Sequence, residues 1–400
     1  MSKSDSTKEL FLKIMNFEPC PRTLKWEFGY WIGAIERWYQ EGLKKVEGYQ
    51  DDLKYGDAIQ GPGHPQGSYS WSGKIPKPES DVCNYFKFDN EWALVPYNYW
   101  IFPRFEKRIL NEDDKYVEYF DTDGVRKKEY KDKSSMPMFL EFPVKNRNDW
   151  ERIKEERFNF NSINERFMGN KGDFIKKSKN IKKPLGILDE PAGFFGSLRW
   201  LIGENSLFML YHDDPGLIKD ILGHLCNLWI SMAENLTSEI EFDVGVFWED
   251  MSGRQGSLIG PNTFKEFMTP YYQKLIDFLK SKRIKYFNVD TDGNLSGLIP
   301  LFLETGINSM YPFEQQAGND LIDIRKNFPE LRIMGGINKM ALAGDKEDID
   351  KELKKIPFLI KQGGYIPYVD HLVPPDVSWN NFKYYRNRLN EIIDSTKILN

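Results

Sequence analysis

Two carboxylates one residue apart, Asp290 and Asp292, follow a strand-like run at residues 284–289. A helix-like apolar run begins at Leu295, so the pair stands where a strand ends and a loop begins. Paired carboxylates in such a place can bind a metal ion, hold a cationic substrate or transfer protons. The sequence therefore predicts that this stretch is the centre of a functional site.

The same residue types also form ordinary turns. Residues 121–124 repeat the letters Asp-Thr-Asp-Gly between two strand-like runs, which is typical of a β-hairpin turn. A calcium loop is excluded, because Leu295 stands where the sixth position needs glycine and Leu301 stands where the twelfth needs glutamate. The context of a strand followed by a helix, and not the letters, supports a functional interpretation of residues 290–293.

Composition limits the classes of partner. The chain has 400 residues and a net charge of −5, which argues against a polyanionic partner, and no basic run predicts binding to nucleic acid. The three cysteines, Cys20, Cys83 and Cys226, have neither metal-site nor disulfide spacing. We find no apolar leader and no apolar run of about 18 residues, so we expect a cytoplasmic protein without a membrane span.

Strand-like and helix-like segments alternate from residue 184 onward, as βα units do. Six strands are predicted there, at residues 184–188, 243–248, 284–289, 306–311, 331–335 and 364–369. Adding Thr23–Phe28 and one strand from residues 92–142 gives eight, the number in a (β/α)8 TIM barrel. The predicted fold class is therefore α/β, with one barrel domain over residues 1–400. A doubly wound sheet is the alternative, although no G-x-G-x-x-G follows a strand.

Two segments interrupt this rhythm in the first half of the chain. Residues 51–84 are rich in Gly, Pro, Ser and Asp, which predicts a long loop that could act as a lid. In residues 92–144, aromatic and β-branched residues alternate with charges, which predicts an antiparallel β insertion. We expect a tight turn at Asp123-Gly124 and an insertion that packs beside the mouth of the barrel and narrows it.

Polar residues end each predicted strand of the second half: Asp189-Glu190, Glu249-Asp250, Asp290 to Asp292, Glu314, Asn338 and Asp370-His371. The carboxyl ends of parallel strands meet on one face of a barrel, where active sites lie. The series therefore predicts an acidic mouth lined by carboxylates, in which Glu249, Asp290 and His371 converge. The alternative is that Asp and Asn at these places cap the following helices.

Several of these segments together resemble the uroporphyrinogen decarboxylase superfamily: Val289–Asn294, Met334–Ile337, Gly363–Val377, Trp248–Met251 and Phe264–Tyr272. The resemblance covers roughly residues 184–396, and residues 21–40 and 135–150 more loosely. It implies a (β/α)8 barrel and one of two chemistries. One branch decarboxylates porphyrin precursors without a cofactor, and the other moves methyl groups among corrinoid proteins, thiols and methylated substrates.

The methyltransferase branch holds zinc with a His-x-Cys pair and a later Cys. The corresponding positions here are Asp290, Asp292 and His371, so the resemblance implies that these three residues are catalytic. They could bind zinc or a harder divalent ion such as manganese or iron, with Glu249 as a further contributor. In the alternative, the pocket is metal-free and one of the aspartates hydrogen-bonds His371.

The decarboxylase branch carries an arginine-rich motif after its first strand. The corresponding residues 26–33 contain no arginine, so a polycarboxylate substrate would lose its bidentate partners. His371 stands where the decarboxylases have a functional histidine, but uroporphyrinogen itself is not the expected substrate. We predict substrate contacts at strand ends in both halves of the chain: Glu27, Tyr30, Trp31, Glu249 and Glu314.

The combined prediction is a methyltransferase that moves a methyl group between a small methylated compound and a corrinoid protein or thiol. The chain lacks the Asp-x-His-x-x-Gly pattern expected for corrinoid binding, so a corrinoid would arrive on a separate partner protein. Two alternatives stay open. One is a cofactor-free decarboxylase that acts on another substrate, and the other is a non-catalytic barrel that binds a ligand in its mouth.

Overall fold

The computed structural model describes residues 5–50, 52–64, 80–133, 135–189 and 191–399. In chain order the strands are β1 (Gly29–Trp31), β2 (Ala58–Gln60), β3 (Ala93–Leu94), β4 (Arg108–Glu112), β5 (Tyr116–Phe120), β6 (Arg126–Tyr130), β7 (Met138–Glu141), β8 (Leu185–Ile187), β9 (Val244–Trp248), β10 (Ser252–Gly253), β11 (Gly256–Ser257), β12 (Tyr286–Asp290), β13 (Ser309–Tyr311), β14 (Arg332–Met334) and β15 (Tyr365–Ile366). The helices are α1 (Thr7–Met15), α2 (Ile32–Gln40), α3 (Asp81–Phe86), α4 (Arg147–Arg157), α5 (Lys171–Ser178), α6 (Phe194–Ile202), α7 (Glu204–Asp213), α8 (Pro215–Thr237), α9 (Pro261–Phe267), α10 (Thr269–Ser281), α11 (Ile299–Thr305), α12 (Leu321–Asn327), α13 (Lys346–Leu353), α14 (Ile356–Lys361) and α15 (Trp379–Ser395). Short 3-10 helices lie at Phe160–Arg166, Gln315–Ala317 and Lys339–Ala343.

A parallel sheet of seven strands forms the centre of the molecule, in the order β15-β14-β13-β12-β9-β8-β3. Strands β8, β9, β13, β14 and β15 fall within their predicted segments, β12 runs one residue past its segment, and β3 is the strand expected from residues 92–142. Strands such as β8 and β13 are buried at every position, as parallel strands covered on both faces are. The predicted α/β class is confirmed, and the curled half-barrel sheet is consistent with the predicted TIM-like fold.

Residues 23–28 do not form the regular strand predicted for them. They lie between the two edges of the curled sheet, where the Thr23 hydroxyl donates to the carbonyl of Tyr365 in β15 at 2.7 Å. Near the other edge, Asp89 N donates to Lys25 O at 3.1 Å, while the Asp89 carboxylate accepts from Lys25 N. Because side chains make many of these bonds, the segment bridges the edges without joining a backbone ladder.

Proline lies in the first turn of several helices of the second half. Pro215 opens α8, and the Asp214 carboxylate caps it by accepting from Leu217 N at 2.9 Å. The stretch from Pro261 to Lys282 forms two helices, α9 and α10, which meet at Met268. Pro270 lies in the first turn of α10 and has no N–H to continue the helix before it.

The insertion contains the predicted antiparallel sheet, in the order β4-β5-β6-β7, together with irregular segments. The turn between β5 and β6 is held by Asp121, whose Oδ1 accepts from the backbone N of Asp123 and of Val125, both at 2.9 Å. Gly124 has a φ of +79°, a left-handed conformation that glycine adopts at low cost. The predicted turn at Asp123-Gly124 is confirmed.

The insertion packs on α6 and on the segment before β2. Its Phe139 ring lies 5.2 Å from the ring of Trp200 in α6, and Lys133 pairs with Asp57 at 2.6 Å. Lys54 also donates to the carbonyl of Lys131 at 2.9 Å. These contacts fix the insertion on the side of the sheet that carries α6, while narrowing of the mouth stays a prediction.

The predicted long loop at residues 51–84 is only partly irregular. Strand β2 and helix α3 lie within it, which corrects the prediction, while Asp51 and residues 65–79 lie outside the described residues. Strand β2 forms because it pairs antiparallel with β1, with Gly29 opposite Gln60. Among the described residues, no helix combines the length and the apolar character needed to cross a membrane.

A buried ion pair joins the start of the chain to its last helix. Glu27 and Arg386 are both 0% exposed, and Arg386 Nη1 lies 3.2 Å from Glu27 Oε2. The Tyr385 hydroxyl donates to the same oxygen, and Val369 N donates to Oε1. Burial raises the pKa of Glu27, while Arg386 and these donors oppose the rise. The network fixes residues 26–28 against α15 and the segment after β15.

Removing the guanidinium tests this network. We expect Arg386→Met to lower the free energy of unfolding by about 3–5 kcal/mol, because Glu27 is left charged and unpaired in the interior. Adding Glu27→Gln to that variant should restore part of the loss. Arg388→Met is the matched control on the same helix, since Arg388 pairs with the exposed Glu391, and it should change stability little. Urea unfolding measures all three, and equal losses at both arginines would contradict the assignment.

Candidate active site at the carboxyl ends of the strands

The predicted central stretch leaves β12 in a tightly held loop. Thr291 N donates to the carbonyl of Tyr311 at 3.1 Å, and the Thr291 hydroxyl accepts from Met251 N at 3.1 Å. Gly293 has a φ of +76°, and a Cβ there would lie 2.5 Å from the carbonyl oxygen of Ser252. Glycine is therefore required at this place, and the loop presents Asp290 and Asp292 in fixed positions.

Strained backbone marks the same edge of the sheet. Leu188 after β8, Asp250 after β9 and Phe313 after β13 have φ angles of +64°, +44° and +62°. Each such conformation costs a non-glycine residue on the order of 1–3 kcal/mol and persists only where the surroundings impose it. Strain at the carboxyl ends of three strands of one sheet is typical of a functional edge.

Two His–Asp pairs occupy this edge. His371 Nε2 lies 3.4 Å from Asp292 Oδ2, and His64 Nε2 lies 3.3 Å from Asp290 Oδ2. Both imidazoles contact the ring of Phe28, which stacks on His371 at 5.0 Å and meets His64 at 4.9 Å with nearly perpendicular planes. The two pairs are therefore neighbours around one phenyl ring, each imidazole with its own carboxylate.

The environment moves the protonation of these groups in different directions. Burial lowers the pKa of His371, but the hydrogen bond and charge of Asp292 outweigh it, so the net pKa is raised. Burial acts to raise the pKa of Asp292, yet His371 prevails and the pKa is lowered. Burial raises the pKa of Asp290 against the opposing effect of His64. Neighbouring carboxyls with pKa values pushed apart are suited to separate acid and base roles.

The mouth is less acidic than the sequence predicts, because other segments supply cations. The Arg199 guanidinium in α6 pairs with Asp250, and Lys339 Nζ lies 3.0 Å from Glu314 Oε1. The second oxygen of Glu314 accepts from Gly293 N at 3.1 Å, which ties this pair to the central loop. Asp250 after β9, Asp290 and Asp292 at β12, and Glu314 after β13 thus each have a basic partner.

Some polar strand ends are caps or structural supports. The Asn338 side chain caps the 3-10 helix after β14, as the alternative interpretation expects. Asp370 is buried and accepts from Gln315 N and Lys339 N, and burial raises its pKa to about 6. Asp189 is also buried, while Glu190 lies outside the described residues.

Glu249 holds the start of α6 and does not face the mouth. Its two oxygens accept from Phe194 N and Gly196 N, each at 2.7 Å, and the Tyr272 hydroxyl also donates to it. Burial raises the pKa of Glu249 to about 7. Its backbone N donates to Asp290 O at 2.9 Å, so the two residues are adjacent although their side chains diverge.

The remaining predicted substrate contacts differ in exposure. Glu27 and Glu249 are fully buried and engaged, which argues against direct contact with substrate. Tyr30 is buried too, with its ring 5.3 Å from Trp38, whereas Trp31 is half-buried. Glu314 is partly exposed beside the central loop and is the predicted contact that the geometry favours.

The side chains of the predicted metal triad contact different partners. Within the described ranges, no three His, Cys, Asp or Glu side chains are arranged to hold one metal ion. The imidazole of His371 faces Asp292, and Asp290 faces His64. The carboxylates are thus directed at separate imidazoles and not at a common point. These residues do not fit the predicted metal site, and no step proposed below uses a metal.

His64 was not among the predicted site residues, although its loop contained a signal. Gly61 N donates to Phe28 O and Gly63 N to Glu27 O, both at 2.8 Å. A Cβ at Gly61 would lie 2.4 Å from the carbonyl oxygen of Glu27. Paired glycines of this kind indicate close backbone approach, and here they bring His64 to Asp290.

Comparisons with known proteins concern the family and the fold. Residues 201–392 match the family model described as Uroporphyrinogen decarboxylase (URO-D). The resemblance to the uroporphyrinogen decarboxylase superfamily is confirmed. The fold is similar to that of a methyltransferase from Methanosarcina mazei, with a TM-score of 0.51, 12% identity, and coverage of 97% of this chain and 100% of that chain. A search of curated proteins finds no match.

The part of the chain that matches the family model contains both members of one His–Asp pair. Asp290, Asp292 and His371 lie inside residues 201–392, whereas Phe28 and His64 lie outside them. The His371–Asp292 pair is thus carried by the matched part of the chain. The partner of Asp290 comes from the first 64 residues.

The raised pKa of His371 can be measured directly. We expect its NMR titration midpoint to lie above the ordinary 6.5, and to fall in Asp292→Asn, where the charge that raises it is gone. The pairing stabilises the fold fully below pH 6.5, and this contribution is lost as pH rises through the raised pKa. The contribution of Asp292 is lost only as pH falls below 3.8 through its lowered pKa.

The internal control is His224, in α8, whose pKa is lowered by burial and should not respond to Asp292→Asn. An unchanged His371 midpoint in that variant would show that Asp292 does not set its protonation.

Proposed function

We propose that this protein is a methyltransferase of the uroporphyrinogen decarboxylase superfamily. It would move a methyl group between a small methylated compound and a thiol or corrinoid protein, in the cytoplasm. The superfamily match and a fold shared with a methyltransferase support the general type. In this proposal residues 1–400 form one barrel domain, and residues 23–28 take the place of its eighth strand.

The observation that carries the proposal is the His371–Asp292 pair at the carboxyl edge of the sheet. Methyl transfer from a heteroatom X to a nucleophile breaks the X–CH3 bond and leaves an electron pair on X. His371, kept protonated by Asp292, gives its proton to X as that bond breaks. With a thiolate as the nucleophile, the products are the methylated thiol, the protonated leaving group H–X–R and neutral His371, so atoms and charges balance.

The other residues would position the reactants. Phe28 fixes the ring plane of His371 by stacking on it at 5.0 Å. Asp292 orients the imidazole through Nε2, and Nδ1 would carry the proton that His371 gives to X. Glu314 and Lys339, which meet at 3.0 Å beside the central loop, would bind the polar part of the methylated compound.

A corrinoid, where it takes part, would be supplied by a partner protein. The chain has no Asp-x-His-x-x-Gly pattern, and the superfamily resemblance implies a separate carrier. When bound at the mouth, the partner would supply a reduced metal centre as the nucleophile. This chain would supply the proton for the leaving group and the positioning of the methyl donor.

A decarboxylase is the second candidate, because the same residues can protonate carbon. Loss of CO2 from a carboxylate leaves a carbanion, which His371 would protonate to give the C–H product. Lys339 and Arg199 are the cations nearest the site that could bind the departing carboxylate, although each already pairs with an acid. Release of CO2 without methyl transfer would select this candidate.

Substitution of His371 tests its role. We expect a panel of methyl thioethers, ethers and amines, with a thiol or a reduced corrinoid protein, to contain a substrate. His371→Gln should lower kcat on it about 10²- to 10⁴-fold, since proton transfer is lost while the fold is kept. In the wild type, kcat should fall as pH rises through the raised pKa of His371, and Asp292→Asn should move that fall to lower pH.

His212→Gln, a change outside the site, is the control and should keep full activity. EDTA should leave the rate unchanged, because the donors do not form a metal site. Loss of activity with EDTA, regained on adding a divalent metal, would instead support the metal-dependent version of the prediction.

Uroporphyrinogen is not expected to be a substrate. Residues 26–33 contain no arginine, and Arg199 is already bound to Asp250. A polycarboxylate would therefore lack the bidentate partners that its charges need. An anaerobic assay should yield no decarboxylated porphyrinogen above background. Substantial product would refute both the methyltransferase assignment and the argument from missing arginines.

A further inference from the structure

Among the described residues, none forms a hydrogen bond with the hydroxyl of Tyr368, although this side chain is completely buried. Tyr368 is 0% exposed, and its oxygen is a buried polar atom that no atom of the described residues satisfies. Leaving a buried donor unpaired is costly, and native proteins keep few such groups. A ligand atom that forms a hydrogen bond with this hydroxyl would remove that cost.

The ring of Tyr368 is clamped beside the second His–Asp pair. A Cβ on Gly63 would lie 2.8 Å from its Cε1, and a Cβ on Gly335 would lie 3.1 Å from its Cε2. Because neither glycine has a side chain, the ring fits between them, and their backbones limit its movement toward either one. Gly63 directly precedes His64, so the loop that delivers His64 to Asp290 also packs against Tyr368.

Asp290 is the carboxylate that acts most strongly on this hydroxyl. Burial raises the pKa of Tyr368 well above its ordinary value, and Asp290 adds more to this rise than Glu27 does. Asp290 itself is 8% exposed, with Oδ2 directed at His64. A carboxylate has about four lone pairs, so it can accept a further hydrogen bond while it holds His64. Tyr368 packs against Gly63, and the next residue, His64, contacts Asp290, so the hydroxyl and the carboxylate belong to one group of side chains.

We propose that Tyr368 and Asp290 together bind a protic group X–H of a substrate, a thiol or hydroxyl. The Tyr368 hydroxyl donates to X, and X–H donates to Asp290. This assignment rests on the proposed function, in which X is the heteroatom that gains or loses the methyl group. The methylated form X–CH3 has no hydrogen for Asp290, so the site favours the demethylated form.

The chain offers a matched pair of tyrosines for the test. Tyr365 lies three residues earlier and is also fully buried, but its hydroxyl donates to Gly335 O at 3.1 Å. Tyr365→Phe removes a bond made in the free protein and should lower Tm. Tyr368→Phe removes a hydroxyl without a partner and should leave Tm unchanged or raise it.

Binding is measured by ligand-detected NMR with ethanethiol and with ethyl methyl sulfide, which lacks the S–H. The wild type should bind ethanethiol more tightly than the sulfide. Tyr368→Phe should weaken ethanethiol binding about five- to tenfold, as expected for one lost hydrogen bond, and should leave the sulfide unaffected. Tyr365→Phe should bind ethanethiol as the wild type does.

Three results would overturn the proposal: a Tm loss in Tyr368→Phe equal to that in Tyr365→Phe, unchanged ethanethiol binding in Tyr368→Phe, or a wild type that does not prefer ethanethiol. The first would reveal a structural partner for the hydroxyl. No methyl donor is present in these measurements. Failure of the binding site is thus distinguishable from failure of methyl transfer, which the substrate panel detects separately.

Discussion

The carboxylate of Glu27 joins three parts of the chain that are distant in sequence. It accepts from Val369 after β15, from Tyr385 and Arg386 in α15, and from the backbone of Phe28 beside it. Without these bonds, residues 23–28 would have little to hold them between the edges of the sheet, because they form no regular ladder. The position of Phe28, and through it the packing of His64 and His371 around its ring, depends on this buried group.

Ionic pairs lie both in the interior and near the mouth. The deeper pair, Glu27 with Arg386, is excluded from water and fixes residues 26–28 against α15. The shallower ones pair Asp250 with Arg199, Glu314 with Lys339, and Asp290 and Asp292 with one imidazole each. An uncompensated cluster of carboxylates would raise one another's pKa values and lose the sharp division between Asp290 and Asp292. Pairing therefore preserves distinct proton affinities within a few ångströms.

Much of the fold was predictable because short apolar runs alternate with helical ones in the second half. The position of Asp290, Asp292 and His371 at strand ends followed from the same pattern. Glu249 shows the limit of that reasoning, since a strand end does not reveal whether its side chain turns to the mouth or to a neighbouring helix. His64, Arg199 and Lys339 reach the site through tertiary contacts, which no local periodicity records. The irregular path of residues 23–28 was missed because side chains hold it.

The two His–Asp pairs differ in how their parts are distributed along the chain. Asp292 follows β12 and His371 follows β15, both strands of the central seven-stranded sheet, with β13 and β14 between them. His64 instead follows β2, which pairs with β1 and lies outside that sheet. One His–Asp pair is therefore built on the central sheet alone, and the other also needs a segment outside it. A change of length or sequence in that outer segment would alter the surroundings of Asp290 and leave the His371–Asp292 pair in place.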